Sequence, residues 1–574
     1  MNMKKIFKYI SCIVLVFFAG ACKEEFLEIV PQDAITTDGF FRNADEIRRV
    51  TGAVYGSAWF DANDKFLWCA GDGMSGDLYQ DYADEGQLFF LSFTENNSVI
   101  LQGWRGLYRV IAGANSVIND MPPIASGYGV AEADINAGIA EARFLRGTAY
   151  FFLAEFWGDV PLIENGSAIV SSGTLQIPKN TRSSVYEFIR RDLEFAAANL
   201  PETDEPGRVT KWSALGMLAK LHLTMASNLS DANSSANFAK AQEYAGAVIT
   251  QSGLSLVPKY EDLFRWENNN NEESLFAIQF TAGGYGIGNS HQAVMARNTM
   301  ITGISEGWGG YKSLTVDFIN NLNENSRNDA NIPQPDLRRK WIMMELGDYY
   351  PEIHKANGGY TYNIHKKYPD DYPDQAFAGQ TETAAPVLNN VKKYVLGNAA
   401  DVGVSISNQA TPINQYILRL ADVYLIYVEA TIGAGSSTSD GTALGYYNAV
   451  RQRAGLNART SVTIDQLFSE RRVEFGMEGI NWFDIKRRFY RDGNTIAQWF
   501  LDNGVLRGYK YQLIDGGADD LERNMLESYE YDIPETPVIP TVEKMFLPIP
   551  NQEVTANPML APGAESVDYV FENE

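Results

Sequence analysis

The chain has 574 residues and a formal net charge of -25, with 21% charged and 45% hydrophobic residues. This hydrophobic fraction excludes global disorder, and the length is ample for a large core or several domains. The negative charge excludes nucleic acid and anionic lipid as partners, because both would be repelled. The three cysteines and four histidines show no spacing typical of a metal site.

Residues 1–21 have the pattern of a secretory signal peptide. Three lysines precede an almost wholly apolar run over residues 9–18, and small residues follow it. An uncleaved membrane anchor is the alternative, but this run is shorter than the roughly 20 apolar residues that a span requires. Ala19 to Cys22 resembles a bacterial lipobox, which implies that Cys22 becomes the first mature residue and carries lipid. The charged residues 23–25 resemble signals that send lipoproteins to the outer face of the outer membrane.

Helical periodicity predicts an N-terminal helical region over residues 22–252. In residues 141–157 the apolar positions follow one helical face, and Gly158 ends the pattern. A capping box at residues 184–187 predicts the start of the next helix. Two further helices are predicted over residues 212–226 and 238–250. Consecutive Ala-rich helices with short loops indicate hairpin packing like that of tetratricopeptide repeats, although no strict repeat consensus is present.

Residues 253–415 differ in composition and open a C-terminal region, 253–574. They are rich in Asn, Gly, Tyr and Pro, in loop-like phrases such as WENNNNEE and TAGGYGIGNS. Residues 274–280 predict a short strand. Because binding residues often lie on loops held by a rigid scaffold, we predict that this loop-rich insert binds ligand.

Helical patterns return after the insert. They cover residues 416–435 and 441–455, and a second capping box at residues 463–466 starts a helical segment that continues to Arg488. Beyond residue 500 the sequence is irregular. We therefore predict a mostly α-helical fold, a tetratricopeptide-like helix-hairpin scaffold with a long loop-rich insert that contains short strands.

One short motif matches a catalytic pattern. Residues 303–307 read Gly-Ile-Ser-Glu-Gly, the G-x-S-x-G pattern of serine hydrolases, with Ser305 as the nucleophile. That chemistry requires a buried strand before the serine and a helix after it. The flanking residues favour neither, so the motif does not support a hydrolase.

Three glutamates are a second catalytic candidate. Glu470, Glu474 and Glu478 recur at intervals of four on one predicted helix, and paired carboxylates are the catalytic groups of glycosidases. A general acid requires a raised pKa, whereas neighbouring arginines lower it. We interpret the three as an ion-pair network that includes Arg451 and Arg453.

A structural calcium ion bound by a group of loop acids is an open alternative. The spacing of these acids is not that of an EF-hand and assigns no ligand set. We interpret these acids as solvated loop charge. They are Asp61, Asp64, Asp81, Asp84 and Glu85.

Eight phrases, in order along the chain, resemble the SusD/RagB family of outer-membrane nutrient-binding lipoproteins. The most recognisable is AEARFLRGTAYFFLAEFWGDVPLI at residues 140–163. Two positions depart from the family pattern, with Asp422 where Glu is frequent and Val428 where Ala is usual. The other phrases are CKEEFLEIVPQ, WRGLYRVIAGANSVIND, GRVTKWSALGMLAKLHL, YILRLADVYLIYVEA, NAVRQRAG, ERRVEFGMEGINWFDIKR and FLPIPNQEVTANPML.

The resemblance implies a lipid-anchored protein that binds oligosaccharides or polysaccharides without chemistry. It also implies delivery of the glycan to a SusC-like TonB-dependent barrel, over which the protein sits as a lid, and it implies no cofactor. An oligopeptide ligand is the alternative within the family. An extracellular glycoside or ester hydrolase is the alternative outside it, and a scaffold that only stabilises the barrel is a third.

The resemblance also places ligand-binding aromatic residues in two regions of the chain. Sugar rings present apolar C–H faces that stack on Trp and Tyr, while their hydroxyls need fixed polar partners. For each candidate, packing within the protein is an equally open interpretation. The candidates are Trp68, Asp77, Tyr79 and Tyr82 in the first region, and Tyr285, Trp308 and Tyr311 in the second.

Overall fold

The computed structural model describes residues 40–80, 82–296, 299–304, 312–345, 347–362, 382–383, 389–493, 507–513, 526–532 and 545–571. Over these residues the protein is mostly α-helical, with short sheets of two or three strands. The predicted fold class is confirmed. The predicted signal peptide, Cys22, Ser305, Trp308 and Tyr311 lie outside the described residues.

The first half is a series of helices that pack in sequence. Their periodic apolar faces form the interior, since a helix in a globular protein is stable chiefly through the face that it buries. Five long helices, α3, α4, α6, α7 and α8, form a series in which each contacts the next, while the short α5 lies between α4 and α6 in the chain. The helices are α1 Ala44–Ala53, α2 Ala83–Phe89, α3 Ser98–Gly127, α4 Glu132–Trp157, α5 Gly166–Ser172, α6 Arg182–Asn199, α7 Lys211–Ala226 and α8 Ser234–Gln251.

The second half alternates short strands with helices. Its helices are α9 His291–Met295, α10 Thr299–Thr302, α11 Val316–Asn325, α12 Arg339–Ile342, α13 Ala399–Val402, α14 Leu420–Ile432, α15 Gly441–Arg453, α16 Ile464–Glu474, α17 Asn481–Asp492 and α18 Asn551–Ala556. The strands of the whole chain are β1 Leu78–Tyr79, β2 Lys179–Asn180, β3 Ser274–Ile278, β4 Ser313–Leu314, β5 Met343–Met344, β6 Tyr349–Tyr350, β7 Tyr360–Thr361, β8 Glu382–Thr383, β9 Asn390–Val391, β10 Gln415–Arg419, β11 Ser437–Thr438, β12 Val462–Thr463, β13 Arg507–Leu513, β14 Leu526–Asp532 and β15 Ser566–Val567.

The strands pair mostly with partners that are distant in sequence. The antiparallel pairs are β1 with β4, β3 with β10, β5 with β9, β6 with β7 and β11 with β12. The strand β13 pairs with both β14 and β8, and β2 pairs with β15 in parallel.

The two predicted helix starts have different outcomes. The capping box at Thr463 is confirmed, since its hydroxyl accepts from the Gln466 N–H at 3.2 Å and the Gln466 amide accepts from the Thr463 N–H at 3.0 Å. The box predicted at residues 184–187 is wrong. The helix α6 begins at Arg182, and Thr181 is its N-cap.

Three predictions in the second half are corrected. Residues 416–419, predicted to be helical, belong to the buried strand β10, which pairs with β3. The segment predicted as one helix to Arg488 is two helices, broken between them where Met477 and Gly479 adopt positive φ values of 65° and 80°. Beyond residue 500, where no element was predicted, β13 and β14 pair as antiparallel strands.

One hydrophobic core joins the two halves. Its buried side chains extend from Val54 to Leu560, and α14 packs against α7 and α8. The division at residues 252 and 253, and the insert ending at residue 415, stay predictions. The free thiol of Cys69 is buried in this core. Among the described helices, none has the length and apolar character that a membrane crossing requires.

Candidate ligand-binding site

The strand β1 of the first predicted binding region pairs with β4, which directly follows the second region. Leu78 pairs with Leu314 and Tyr79 pairs with Ser313. Next to them, the Thr315 N–H donates to the carbonyl of Asp77 at 2.9 Å, and its hydroxyl donates to the carbonyl of Gly76 at 2.6 Å. The first candidate region is therefore fixed against the chain that directly follows the second.

Two π-helical turns carry the first region. They cover Ala62–Phe66 and Cys69–Gly73. Such turns are rare in proteins overall, and many of those that occur lie at functional sites. Close backbone contacts hold both. A Cβ at Gly106 of α3 would lie 2.5 Å from the Ala62 nitrogen, and one at Gly71 would lie 2.1 Å from the Gly479 carbonyl oxygen. Glycine is therefore required at both positions.

The carboxylate of Asp64 links the π-helical turn to the Gly-rich loop of the second region. It is buried, with 2% of its surface exposed. Its Oδ2 accepts from the Tyr285 hydroxyl at 2.8 Å and from the Gln102 amide at 3.2 Å, and its Oδ1 accepts from the Ser290 hydroxyl at 2.6 Å. Burial and the Asp64 charge together raise the pKa of Tyr285.

Ion pairs balance the charge of the candidate face, which is formed by the π-helical turns, the β1–β4 pair and the Tyr285 loop. Glu85 of α2 is buried and pairs with Lys65 and Lys312, each at 3.0 Å. Nearby, Arg109 pairs with Asp61 at 2.6 Å. The interpretation of Asp64 and Glu85 as solvated loop charge is therefore wrong, because both are buried and engaged by protein groups.

Three of the candidate side chains are buried. Trp68 is 2% exposed, donates to the Asp64 carbonyl at 2.9 Å and has the Lys312 ammonium 4.9 Å from its ring centroid. Asp77 is fully buried and pairs with Arg472 at 2.6 Å. Burial outweighs the Arg472 charge and raises the pKa of Asp77 to about 6. Tyr79 is 7% exposed.

Two candidates present rings to solvent. Tyr82, just before α2, is 68% exposed. Tyr285 is 48% exposed, and its ring meets Phe60 edge to face with centroids 4.8 Å apart. Of the described candidates, these two have the exposure that stacking on a sugar requires. Asp64, Lys65 and Lys312 contribute to the face without having been predicted as site residues.

No group of three or more His, Cys, Asp or Glu side chains in the described residues is placed to hold a metal ion. The described residues therefore contain no ligand set for the structural calcium ion considered in the sequence analysis. Asp81 lies outside the described residues.

A groove of about 1160 Å³ lies elsewhere, between α6, the turn from α7 to α8 and the C-terminal segment. The Arg182 guanidinium is 5.2 Å from the ring centroids of Tyr490 and Phe546 and donates to the Tyr490 hydroxyl at 2.7 Å. None of the described candidate residues lines this groove.

The three glutamates form the predicted ion-pair network. Glu474 pairs with Arg338, Arg419 and Arg453. Burial alone would raise its pKa, but the three guanidinium groups outweigh burial and hold the pKa well below its ordinary value. The pKa values of Glu470 and Glu478 are lowered in the same way. None of these carboxyls is poised as a general acid.

The network also differs from the prediction. Glu470 pairs with Arg338 and Arg451, and Glu478 pairs with Arg419 and Lys393. Glu478 lies beyond the end of α16, so the three acids do not share one helix.

The fold is that of a mostly helical protein, and its candidate aromatic site lies on loops. The chain belongs to the SusD family. The family model described as "SusD family" matches residues 272–562, and a model described as "Starch-binding associating with outer membrane" matches residues 71–223. The second description is of starch binding in association with the outer membrane, and membership of the SusD family of binding proteins agrees with the prediction that the chain is not an enzyme.

Individual relatives agree with this assignment. A SusD-like protein of Bacteroides ovatus is 34% identical over 99% of both chains. The starch-binding protein SusD of Bacteroides thetaiotaomicron is 24% identical and covers 66% of this chain and 69% of its own. A crystal structure with a xylogluco-oligosaccharide is 32% identical, has a TM-score of 0.77, and covers 92% of this chain and all (100%) of its own.

Proposed function

We propose that the protein binds oligosaccharides on the face formed by the π-helical turns, the β1–β4 pair and the Tyr285 loop. The observation that carries the proposal is the hydrogen bond from Tyr285 to Asp64, which joins the Tyr285 loop to the π-helical turns, together with the exposed aromatic rings of Tyr82 and Tyr285. The similar structure with a xylogluco-oligosaccharide supports a glycan as the ligand.

The charge of the face favours a neutral glycan. Lys65, Lys312 and Arg109 are each paired with a carboxylate of the protein. A uronic acid would compete with these pairs, and the chain as a whole carries a net charge of -25. A neutral sugar requires no such exchange.

We further propose that the protein is tethered to the outer face of the outer membrane through Cys22 and delivers its ligand to a SusC-like TonB-dependent barrel. The lipobox-like sequence supports the tether, and the family's described association with the outer membrane supports the location. Family membership is the support for the barrel partner.

Calorimetric titration of the chain from Lys23 onward tests glycan binding. The first probe is a xylogluco-oligosaccharide, followed by starch and laminarin oligosaccharides and an oligogalacturonate. We expect saturable binding of a neutral glycan with a Kd of about 1 µM to 1 mM, or about -8 to -4 kcal/mol. Chromatography of the recovered sugar should show it intact. Binding of peptides alone, or turnover of the sugar, would contradict the proposal.

Replacement of Tyr285 by alanine should weaken glycan binding about three- to tenfold, since aromatic stacking is worth about 0.5–1.5 kcal/mol. The same titration measures the change. The matched control is Tyr128→Ala, which removes a tyrosine of similar exposure (52%) at the end of α3. Equal affinities for the two variants would place the site elsewhere.

Replacement of Cys22 by alanine should abolish anchoring, because the lipid is attached through that thiol. Cell fractionation should find wild type with the outer membrane and the variant outside the membrane fraction, and labelled fatty acid should appear on wild type but not on the Cys22 variant. Cys69→Ala is the control, since that thiol is buried in the core. Labelling of the Cys22 variant would contradict the prediction.

A further inference from the structure

The ring of Tyr285 is fixed at two points although nearly half of its surface is exposed. Its edge meets the Phe60 ring, and its hydroxyl donates to Asp64 at 2.8 Å. The glycines on either side, Gly284 and Gly286, have φ values of 93° and 91°, which other residues rarely adopt. The loop backbone alone, built on glycines, does not account for a fixed ring.

Asp64 is held firmly enough to act as the anchor. It lies on the first π-helical turn, is 2% exposed, and receives hydrogen bonds from Tyr285, Ser290 and Gln102. A buried carboxylate that loses such donors is strongly destabilised, so breaking any of these bonds costs free energy. The bonds therefore hold the donor side chains in place as well as the carboxylate. Asp64 itself is too buried to meet a ligand directly.

We propose that Asp64 is a positioning residue that holds the Tyr285 ring as a platform for the sugar. This inference rests on the proposed function, because it concerns the same face. A ring that is already oriented loses little freedom when a sugar stacks on it, whereas a released ring must be ordered during binding. The affinity for the glycan therefore depends on a residue that does not touch it.

The test is a double-mutant cycle of Asp64→Ala and Tyr285→Phe, with affinity for a xylogluco-oligosaccharide measured by calorimetry. Tyr285→Phe keeps the ring and removes the bond to Asp64. Each single variant should lower affinity about three- to tenfold, and the double variant should lose no more than the larger single loss, since both changes break one bond. Tyr186→Phe is the matched control and should leave affinity unchanged, since it removes another tyrosine hydroxyl that donates to a carboxylate, that of Glu155, at the separate groove.

Additive losses in the cycle, or an Asp64→Ala affinity equal to wild type, would overturn the inference. If Asp64→Ala fails to fold, the Tyr285→Phe variant alone decides the question, and an affinity equal to wild type would overturn the inference. If Tyr285→Ala weakens binding and Tyr285→Phe does not, the positioning role of Asp64 is wrong while the proposed glycan binding still holds. The proposed function fails, and this inference with it, when wild type binds no saccharide of the panel.

Discussion

Replacement of Glu474 by alanine should destabilise the protein by about 3–5 kcal/mol. The carboxylate is fully buried and pairs with Arg338, Arg419 and Arg453, which are also buried. Removing Glu474 leaves three buried guanidinium groups short of one carboxylate, although each of them keeps a pair with at least one other carboxylate. Urea unfolding followed by tryptophan fluorescence measures the loss as a shift in midpoint at unchanged slope.

The control is Glu324→Ala at the end of α11. This glutamate side chain is 70% exposed and pairs with Arg327, three residues away, at 3.3 Å. An exposed pair contributes between nothing and about 1 kcal/mol, because solvent screens it. A Glu474→Ala loss no larger than that of the control would show that the network does not stabilise the fold.

The same network predicts how stability depends on pH. The folded-state pKa of Glu474 lies below its ordinary value of 4.5. The contribution of the Glu474 carboxylate to folding stability is therefore complete above pH 4.5 and is lost progressively as the pH falls below that value. Glu474→Gln should be less stable than wild type at pH 7, and the difference should shrink on acidification below about pH 4.5. A difference that grows on acidification would contradict this assignment.

The sequence predicted the long helices well because their signal is local. The apolar face over residues 141–157 and the stop at Gly158 depend on spacing alone, and α4 ends at Trp157 as expected. The strand β10 was missed for the opposite reason. Its stabilising partner, β3, is far away in sequence, and an apolar run that is buried on all sides has no period that distinguishes strand from helix.

The break between α16 and α17 had a signal that was overlooked. Gly476 and Gly479 interrupt the helical pattern, and glycine is the common residue where a helix ends with positive φ. A Cβ at Gly476 would also lie 2.7 Å from the Phe318 ring. Phe318 lies on another element, so the packing reason for this glycine was not available from sequence.

The candidate site could be predicted from the sequence as two regions, but not as individual residues. The resemblance pointed to the stretches around Trp68 and Tyr285, and both side chains donate a hydrogen bond to Asp64. Exposure depends on tertiary packing, which leaves Tyr285 half open and covers Trp68. The anchor Asp64 was missed because a carboxylate in a polar loop gives the same sequence signal whether it is buried or solvated.

Replacement of Gly71 by alanine should destabilise the protein by about 3 kcal/mol or more. The new methyl group would lie 2.1 Å from the carbonyl oxygen of Gly479 and 2.4 Å from its Cα. These are backbone atoms, so no side chain can move aside, and the second π-helical turn must shift. Since that turn also leads to Asp77 and β1, thermal unfolding and glycan affinity should both worsen.

Gly445→Ala is the matched control and should change stability in the opposite direction. Gly445 lies inside α15 with no atom within 4 Å of the added methyl group, and glycine in a helix is about 1 kcal/mol less favourable than alanine. A substitution of the same chemistry thus separates close backbone contact from helix propensity. A Gly71→Ala protein as stable as wild type would mean that the turn from Cys69 to Gly73 does not rest against Gly479, and the candidate face would lose its support.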